Sequence, residues 1–161
     1  MQYEVHYCAL TPSIRTAQGL EIAVLQPLPN VNEADWVFVP GFPVGIVEPS
    51  AAQIEWLRRV AAAGARLCSV CTGAFALGQA GLLDGRYCTT HWKRIDDLRS
   101  RFPRARVVDN RLYVVDGQII TSAGTAAGID MTIGLVEQDA GAAVASAVAR
   151  EMVIYIRRNG T

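Results

Sequence analysis

A short apolar run that stops at Cys71 sets the first limit on how this chain can fold. The run ARLCSV, residues 65–70, has the composition of a buried strand, and the small-residue segment TGAFALGQAG that follows Cys71 favours a helix. A strand that passes directly into a helix through a nucleophilic residue is the sequence form of a nucleophile elbow. Such a turn exposes the cysteine at the carboxyl edge of a sheet, where the positive end of the helix favours its thiolate. The sequence therefore predicts a reactive thiol at one edge of a sheet.

His91 is the predicted partner of this thiol. A second strand-like stretch, CTTH, ends in this residue, which is one of two histidines in the chain. The thiolate could attack an electrophilic carbon, while the amide of Thr72 and one amide of the Pro40–Phe42 loop bind the developing oxyanion. The alternative interpretations are a packed core thiol at Cys71 and a capping or hydrogen-bonded histidine at position 91.

The order of the predicted elements indicates an α/β fold with a mostly parallel open sheet. A buried strand over residues 35–39 is followed by a helix that Ser50 caps and Gly64 ends, and then by the strand of residues 65–70. This order forms a right-handed parallel crossover, and the active edge of such a sheet lies at the carboxyl ends of its strands. Further strands are predicted over residues 2–10, 16–25, 107–108, 112–115 and 118–121, and the last two are joined by a turn at Asp116-Gly117. A charged helix is predicted over residues 93–102. Two more helices are predicted from Thr125 onward, with a break near residues 139–141 and an end at 157–160.

Composition and charge exclude several classes of protein. The 161 residues fit one domain, and 51% apolar residues are enough for a packed core. Fifteen basic and fifteen acidic residues cancel and form no basic stripe, so this chain is not expected to bind nucleic acid itself. No apolar run is long enough to span a membrane, and the first residues lack a secretion signal. These features predict a cytoplasmic protein without membrane contact.

The four cysteines are interpreted as reduced thiols that need no disulfide role in so apolar a chain. Cys68 and Cys71 have the C-x-x-C spacing, but Cys68 lies within the predicted strand, which favours packing over a redox dithiol. Cys8, Cys68 and Cys88 lack the paired spacing of zinc ligands. The glycines of residues 122–134 match no phosphate-binding loop and are expected to permit tight packing. The sequence therefore predicts no metal and no cofactor.

Three motifs resemble a known family: VPG at residues 39–41, SVCTGAFALGQAGLLDGRYCTTHW at 69–92 and TSAGTAAGIDM at 121–131. With these motifs, residues 35–158 resemble the ThiJ/PfpI superfamily. The resemblance implies a three-layer α/β sandwich of the flavodoxin-like, class I glutamine amidotransferase-like type. Within this range, the sequence of residues 71–92 and 101–151 most resembles that of the amino-terminal sensor domain of AraC-type transcription regulators. Isocyanide hydratases share the first half of that similarity.

The resemblance also implies a site at the carboxyl edge of the sheet. Cys71 would be the family cysteine and His91 its partner, and the amides of Gly41 and Thr72 would donate to an oxyanion. The residues implied to form the oxyanion site or the ligand pocket are Gly41, Phe42, Thr72, Gly73 and Thr125. Phe42 replaces the second glycine of the family's Pro-Gly-Gly loop, which is expected to narrow the pocket.

Residues 1–161 are expected to form a single domain of the ThiJ/PfpI type. Compared with that family, the domain is expected to lack the first strand and helix, and compared with AraC-type regulators it is expected to lack a C-terminal helix-turn-helix domain. The first helix of the family carries an acidic residue that touches the cysteine, so its absence would weaken proton delivery to a bound substrate. A sheet without that strand would have an exposed apolar slot, which residues 2–10, the missing segment or a neighbouring chain would have to fill. An uncovered edge is a strong template for pairing with another chain. We therefore expect a homodimer.

The predicted function is sensing of a small molecule by a domain of the kind found in AraC-type regulators, with its pocket at Cys71 and His91. The alternative is a cysteine-dependent hydratase or hydrolase-like enzyme that uses Cys71 as nucleophile and His91 for proton transfer. A third interpretation is a dimeric scaffold without chemistry. An adjoining helix-turn-helix domain would favour the regulator, and a preceding strand with an acidic residue would favour the enzyme.

Overall fold

Residues 3–155 are described by this computed structural model, and strands and helices alternate between residues 36 and 107. In chain order the strands are β1 (Ile14–Arg15), β2 (Glu21–Ile22), β3 (Trp36–Val39), β4 (Arg66–Val70), β5 (Tyr87–Cys88), β6 (Arg106–Val107), β7 (Tyr113–Asp116) and β8 (Ile119–Ser122). The α-helices are α1 (Ala51–Ala62), α2 (Ala74–Gln79), α3 (Ile95–Arg101), α4 (Thr125–Ala140) and α5 (Ala142–Glu151). Short 3₁₀ turns lie at Cys71–Gly73 and Trp92–Arg94.

The central sheet has the strand order β3, β4, β8, β7. Strands β3 and β8 flank β4 in parallel, whereas β7 pairs with β8 in the antiparallel sense. The β7–β8 hairpin turns at Gly117, whose φ of +61° suits glycine. The predicted mostly parallel sheet with an appended hairpin is thereby confirmed. Because β3, β4 and β8 run the same way, their carboxyl ends meet at one edge of the sheet.

Helix α1 forms where the capping signal in the sequence predicts it. The Ser50 hydroxyl accepts from the Gln53 amide at 3.3 Å, and the Gln53 side chain accepts from the Ser50 amide at 2.8 Å. This reciprocal capping box satisfies two amides that the first helical turn leaves unpaired. Leu57 and Val60 are buried on the inner face, and Gly64 follows the helix with a φ of +83°. Helix α1 thus connects β3 to β4 as the expected parallel crossover.

Two clusters of buried side chains lie on opposite faces of the sheet. Leu67, on β4, belongs to the larger cluster, which includes Leu57 of α1 and Phe75 of α2. Its neighbour Cys68 belongs to the other cluster, together with Met131 of α4. Successive residues of a strand point to opposite faces, so these two clusters place helices on both sides of the sheet. The predicted three-layer sandwich is confirmed.

The first third of the chain forms less strand than its composition predicts. Within the described part of the predicted strand 2–10, only Cys8 pairs, in an isolated bridge to Gln26. The strand predicted for residues 16–25 is reduced to β2, which pairs with β1. Val24 is 92% exposed and Tyr7 is 71% exposed. Since these apolar side chains have no core to face, an apolar composition alone does not stabilise a strand, and both strand predictions are wrong in extent.

The strand before His91 does not join the central sheet. It is β5, which ends at Cys88 and pairs in parallel with β6 as a separate two-stranded sheet. The amide of Tyr87 donates to the Asp116 carboxylate at 2.7 Å, which fixes this small sheet beside β7. His91 therefore follows β5 by three residues, so the prediction that a strand ends at His91 is wrong: the strand ends at Cys88 and lies outside the central sheet.

Helices α4 and α5 complete the fold on one face. Gly141 separates them with a φ of +86°, which confirms the predicted break near residues 139–141. Ile133 and Val136 of α4 pack against Ala145 and Ala149 of α5. Helix α5 ends at Glu151, and the predicted helix end at 157–160 lies outside the described residues. Across residues 3–155, none of the helices combines the length and the hydropathy that crossing a membrane requires.

Candidate functional site

Cys71 occupies a sharp turn between β4 and α2. Its φ is +55°, in the left-handed region that residues other than glycine seldom adopt. The 3₁₀ turn Cys71–Gly73 begins at once, and α2 continues it from Ala74. A strained residue directly between a strand and a helix is the geometry of a nucleophile elbow. The thiol is half-buried, so it remains within reach of a small molecule at the edge of the sheet.

The side chain of Thr72 fastens this turn to the loop after β3. Its hydroxyl donates to the Phe42 carbonyl at 2.7 Å and accepts from the Phe42 amide at 2.9 Å. Next to it, a Cβ on Gly41 would lie 3.2 Å from Thr72 Oγ1 and 3.4 Å from Cys71 Cβ. Three of the residues predicted for the pocket, at positions 41, 42 and 72, therefore meet beside Cys71.

The backbone amides near Cys71 differ in whether they already have a hydrogen-bond partner. The amide of Phe42 is already bound by Thr72 Oγ1. The amide of Gly41 has no hydrogen-bond partner among residues 3–155, and Gly41 is exposed. The amide of Thr72 lies in the first helical turn after β4, where amides lack helical partners. The geometry is thus compatible with the predicted donor pair of Gly41 and Thr72. The Phe42 ring is half-buried and packs against the larger core cluster.

His91 lies near the turn but makes its visible contacts elsewhere. Its Nδ1 accepts from the Lys93 amide at 3.3 Å, which caps the 3₁₀ turn Trp92–Arg94, and its ring lies 5.9 Å from that of Trp92. In the described part of the chain no hydrogen bond joins His91 to the Cys71 sulfur. Instead, the buried hydroxyl of Thr90 donates to the Cys71 carbonyl at 2.8 Å. Proton transfer between His91 and Cys71 stays a prediction.

Small residues allow the helices to approach this edge closely. A Cβ on Gly73 would lie 2.3 Å from the Val39 carbonyl oxygen, so the start of α2 is pressed against the end of β3. A Cβ on Gly128 would lie 3.3 Å from the Val70 side chain. This contact brings the first turns of α4, which begin at Thr125, to the same edge as Cys71. The expectation that the glycines of residues 122–134 permit tight packing holds at Gly128 and at Gly134, where a Cβ would lie 2.9 Å from the Tyr113 hydroxyl oxygen. It is wrong at Gly124, where a Cβ would have no atom within 4 Å.

Two of the other cysteines are packed in the interior. Cys68 and Cys88 are 0% exposed. Burial raises the pKa of the Cys68 thiol to about 12 and that of the Cys88 thiol to about 11. Cys68 belongs to the cluster under α4, which agrees with packing rather than a redox pair with Cys71. Among the residues that the structure describes, no group of three or more His, Cys, Asp or Glu side chains is placed to hold a metal ion.

We expect iodoacetamide to label Cys71 at least tenfold faster than Cys68 or Cys88 in the native protein at pH 8.5, because alkylation needs an accessible thiolate. Peptide mass spectrometry over a time course gives the rates. In concentrated urea the difference should disappear, which serves as the control. Alkylation of Cys68 or Cys88 before Cys71 under native conditions would contradict the packing described above.

A cleft of about 540 Å³ lies beside the elbow, and it contains none of the predicted site residues. We call it the Arg111 cleft; residues that line it include Thr89, Thr90, Trp92, Ile95, Arg99 and Arg111. Sequence reasoning placed residues 93–102 on a charged surface helix and gave Arg111 no role. The cleft depends on how α3, the turn before β7 and the loop after β5 come together, and this tertiary arrangement leaves no motif in the sequence.

The sequence matches the DJ-1/PfpI family over residues 2–138. It is 35% identical over 143 residues to the HTH-type transcriptional regulator CdhR of Pseudomonas aeruginosa, covering 88% of this chain and 42% of the regulator. It is 32% identical over 136 residues to the isonitrile hydratase of Pseudomonas putida, covering 84% of this chain and 58% of the hydratase. The chain thus spans less than half of the regulator's length.

A crystal structure of an AraC family transcriptional regulator from Pseudomonas putida has a similar fold, with a TM-score of 0.72. The two chains are 23% identical, and the match covers 88% of this chain and 76% of the other. At this identity the similarity supports the fold alone.

Proposed function

The chain belongs to the DJ-1/PfpI family, and we propose that it is the small-molecule-sensing domain of an AraC-type transcription regulator. One observation carries the proposal: the similarity to an HTH-type regulator extends over 88% of this chain but only 42% of the regulator. In such a regulator another part of the protein contacts DNA. The cancelling charges of this chain, fifteen of each sign, support that division of labour.

The elbow supplies one surface for a ligand at the carboxyl edge of the sheet. The half-buried Cys71 thiol and the unbound amide of Gly41 offer a polarizable sulfur and a hydrogen-bond donor. The Thr72 hydroxyl holds the Phe42 backbone, so the loop that carries the Gly41 amide is already ordered. A preordered donor binds with a smaller entropy cost than a mobile one. In this role Cys71 and His91 contact the ligand without reacting with it, and the domain acts in the cytoplasm as part of a homodimer.

A second candidate function is the cysteine-dependent addition of water to an isocyanide. The left-handed turn at Cys71 and the 32% identity to an isonitrile hydratase favour it. Cys71 Sγ would then bond to the isocyanide carbon while His91 delivers a proton to that carbon, which gives a thioimidate. Water would add to the same carbon as His91 takes back a proton, with the amides of Gly41 and Thr72 binding the developing charge. The C–S bond would then break, which returns the Cys71 thiolate and releases the N-substituted formamide. The observed contact of His91 Nδ1 is with the Lys93 amide rather than with the Cys71 sulfur, which favours the sensor.

Turnover and ligand stabilisation distinguish the two functions. We expect the parent protein and Cys71→Ala to show the same background rate of isocyanide hydration. We also expect at least one compound of a metabolite panel to raise the melting temperature of the protein. At 100 times its Kd a ligand contributes about 2.7 kcal/mol, which corresponds to about 8 °C for a chain of 161 residues. A Cys71-dependent turnover on the order of 1 per second would assign the chain to the enzymes instead.

A further inference from the structure

We propose that the Arg111 cleft, rather than the elbow alone, binds the ligand, and that the ligand is a small organic carboxylate. This inference rests on the proposed sensing function and adds a place and a chemical class to it. The cleft volume of about 540 Å³ lies within the range of small-molecule sites, roughly 300 to 1,000 Å³. Its floor is polar and buried, since Thr89 and Thr90 are each 1% exposed.

The charges of the cleft leave one cation without a partner. The guanidinium of Arg99 lies 3.1 Å from the Asp96 carboxylate and 3.6 Å from that of Asp109, and it donates to the Val107 carbonyl at 3.3 Å. Arg99 is therefore neutralised by its own surroundings. Arg111 lines the same cleft and has no hydrogen bond or ion pair within residues 3–155. An uncommitted guanidinium favours a carboxylate, because its fork of N–H groups matches two carboxylate oxygens.

The walls of the cleft suit an apolar body attached to that carboxylate. Trp92 is 73% exposed although it is a large aromatic residue, and it lines the cleft with Ile95 and Leu112. Lys93 Nζ lies 5.2 Å from the centre of the Trp92 ring. An exposed ring beside buried polar groups is typical of a surface that a ligand covers. A planar or aliphatic acid could therefore place its carboxylate at Arg111 and its body on these side chains.

The floor of the cleft connects the ligand to the elbow. Thr90 lines the cleft and donates to the Cys71 carbonyl, and the amide of Thr89 donates to Thr121 Oγ1 on β8 at 2.9 Å. A ligand that shifts Thr90 would therefore move the backbone of Cys71. This contact gives the sensing role a physical route from the cleft to the edge of the sheet.

Benzoate is a suitable probe because it joins a carboxylate to a flat apolar ring. In a titration followed by nitrogen-15 NMR we expect Kd on the order of 1 mM, with shifts at the amides of residues 89–99 and 109–112. Arg111→Gln should weaken binding about tenfold, as loss of a charge-assisted hydrogen bond requires. The matched control is Arg104→Gln, which removes the same charge from a guanidinium that is paired with Asp84 and does not line the cleft. Benzamide, the neutral analogue, should bind several-fold more weakly.

The outcomes of this titration distinguish a failure of the cleft proposal from a failure of the sensing proposal. Equal binding by the Arg111 and Arg104 variants, or no shifts at about 20 mM benzoate, far above a millimolar Kd, would overturn the cleft proposal. Loss of binding in Cys71→Ala but not in Arg111→Gln would move the ligand to the elbow and leave the sensor intact. Cys71-dependent turnover would end the sensing proposal, whereas Arg111-dependent benzoate binding would still assign the cleft as an anion site.

Discussion

Replacing Gly73 with alanine should destabilise the protein by about 3 kcal/mol, because the core at this point cannot admit one more methyl group. The new Cβ would lie 2.3 Å from the Val39 carbonyl oxygen and 3.0 Å from that of Pro40. Both atoms belong to backbone at the end of β3, so no side-chain rotation relieves the contact. The φ of Gly73 is −55°, which alanine adopts freely, so the whole penalty is steric. The start of α2 would have to move away from β3 and would carry Cys71 with it.

Urea denaturation followed by circular dichroism measures this loss, and Gly124→Ala is the matched control. Gly124 also precedes a helix, its φ of −177° suits any residue, and no atom lies within 4 Å of the position that a Cβ would take there. We expect the control to change the free energy of unfolding by less than about 1 kcal/mol. Equal midpoints for the two variants would mean that α2 does not press on the β3 carbonyls as closely as described.

The elements that the sequence predicts well are those with a buried face and a local start or stop signal. Strand β3 is an apolar run ended by Pro40, and α1 begins at the Ser50 capping box. The approach of the Pro40–Phe42 loop to Cys71 also follows from sequence, because adjacent parallel strands end at the same edge. Residues 3–25 lack a buried face: the apolar side chains of Val24 and Tyr7, for example, are exposed there, although the composition favours strands.

The site was predictable in its backbone and not in its side-chain contacts. The sequence indicates an amide role for Thr72, whereas the structure shows that its hydroxyl binds Phe42, thirty residues away. Such a contact depends on tertiary packing and leaves no local pattern. The same holds for Thr90, whose hydroxyl reaches the Cys71 carbonyl. His91 has the chemistry of a proton-transfer group, and its capping of the next turn is the local alternative that short-range hydrogen bonding favours.

Replacing Thr72 with valine should cost about 2 kcal/mol of folding stability and loosen the loop that carries the Gly41 amide. Valine keeps the shape of threonine but can neither accept from the Phe42 amide nor donate to the Phe42 carbonyl. Both groups are part-buried, so water can replace only some of what is lost. The loss of folding stability should therefore be smaller than for two fully buried groups left without partners, and larger than for one exposed hydrogen bond.

Thr72→Ser separates the hydroxyl from the methyl group, since serine can keep both hydrogen bonds to Phe42. We expect the serine variant to lose less than about 1 kcal/mol and the valine variant to exchange its Phe42 amide hydrogen at least tenfold faster than the parent protein. Urea denaturation and hydrogen exchange by NMR give the two quantities. If valine and serine are equally stable and protect the Phe42 amide equally, the hydroxyl does not hold the loop. Since Gly41 precedes Phe42, a loosened Phe42 would also move the Gly41 amide away from Cys71. The valine variant should therefore weaken the binding of any ligand that needs both groups.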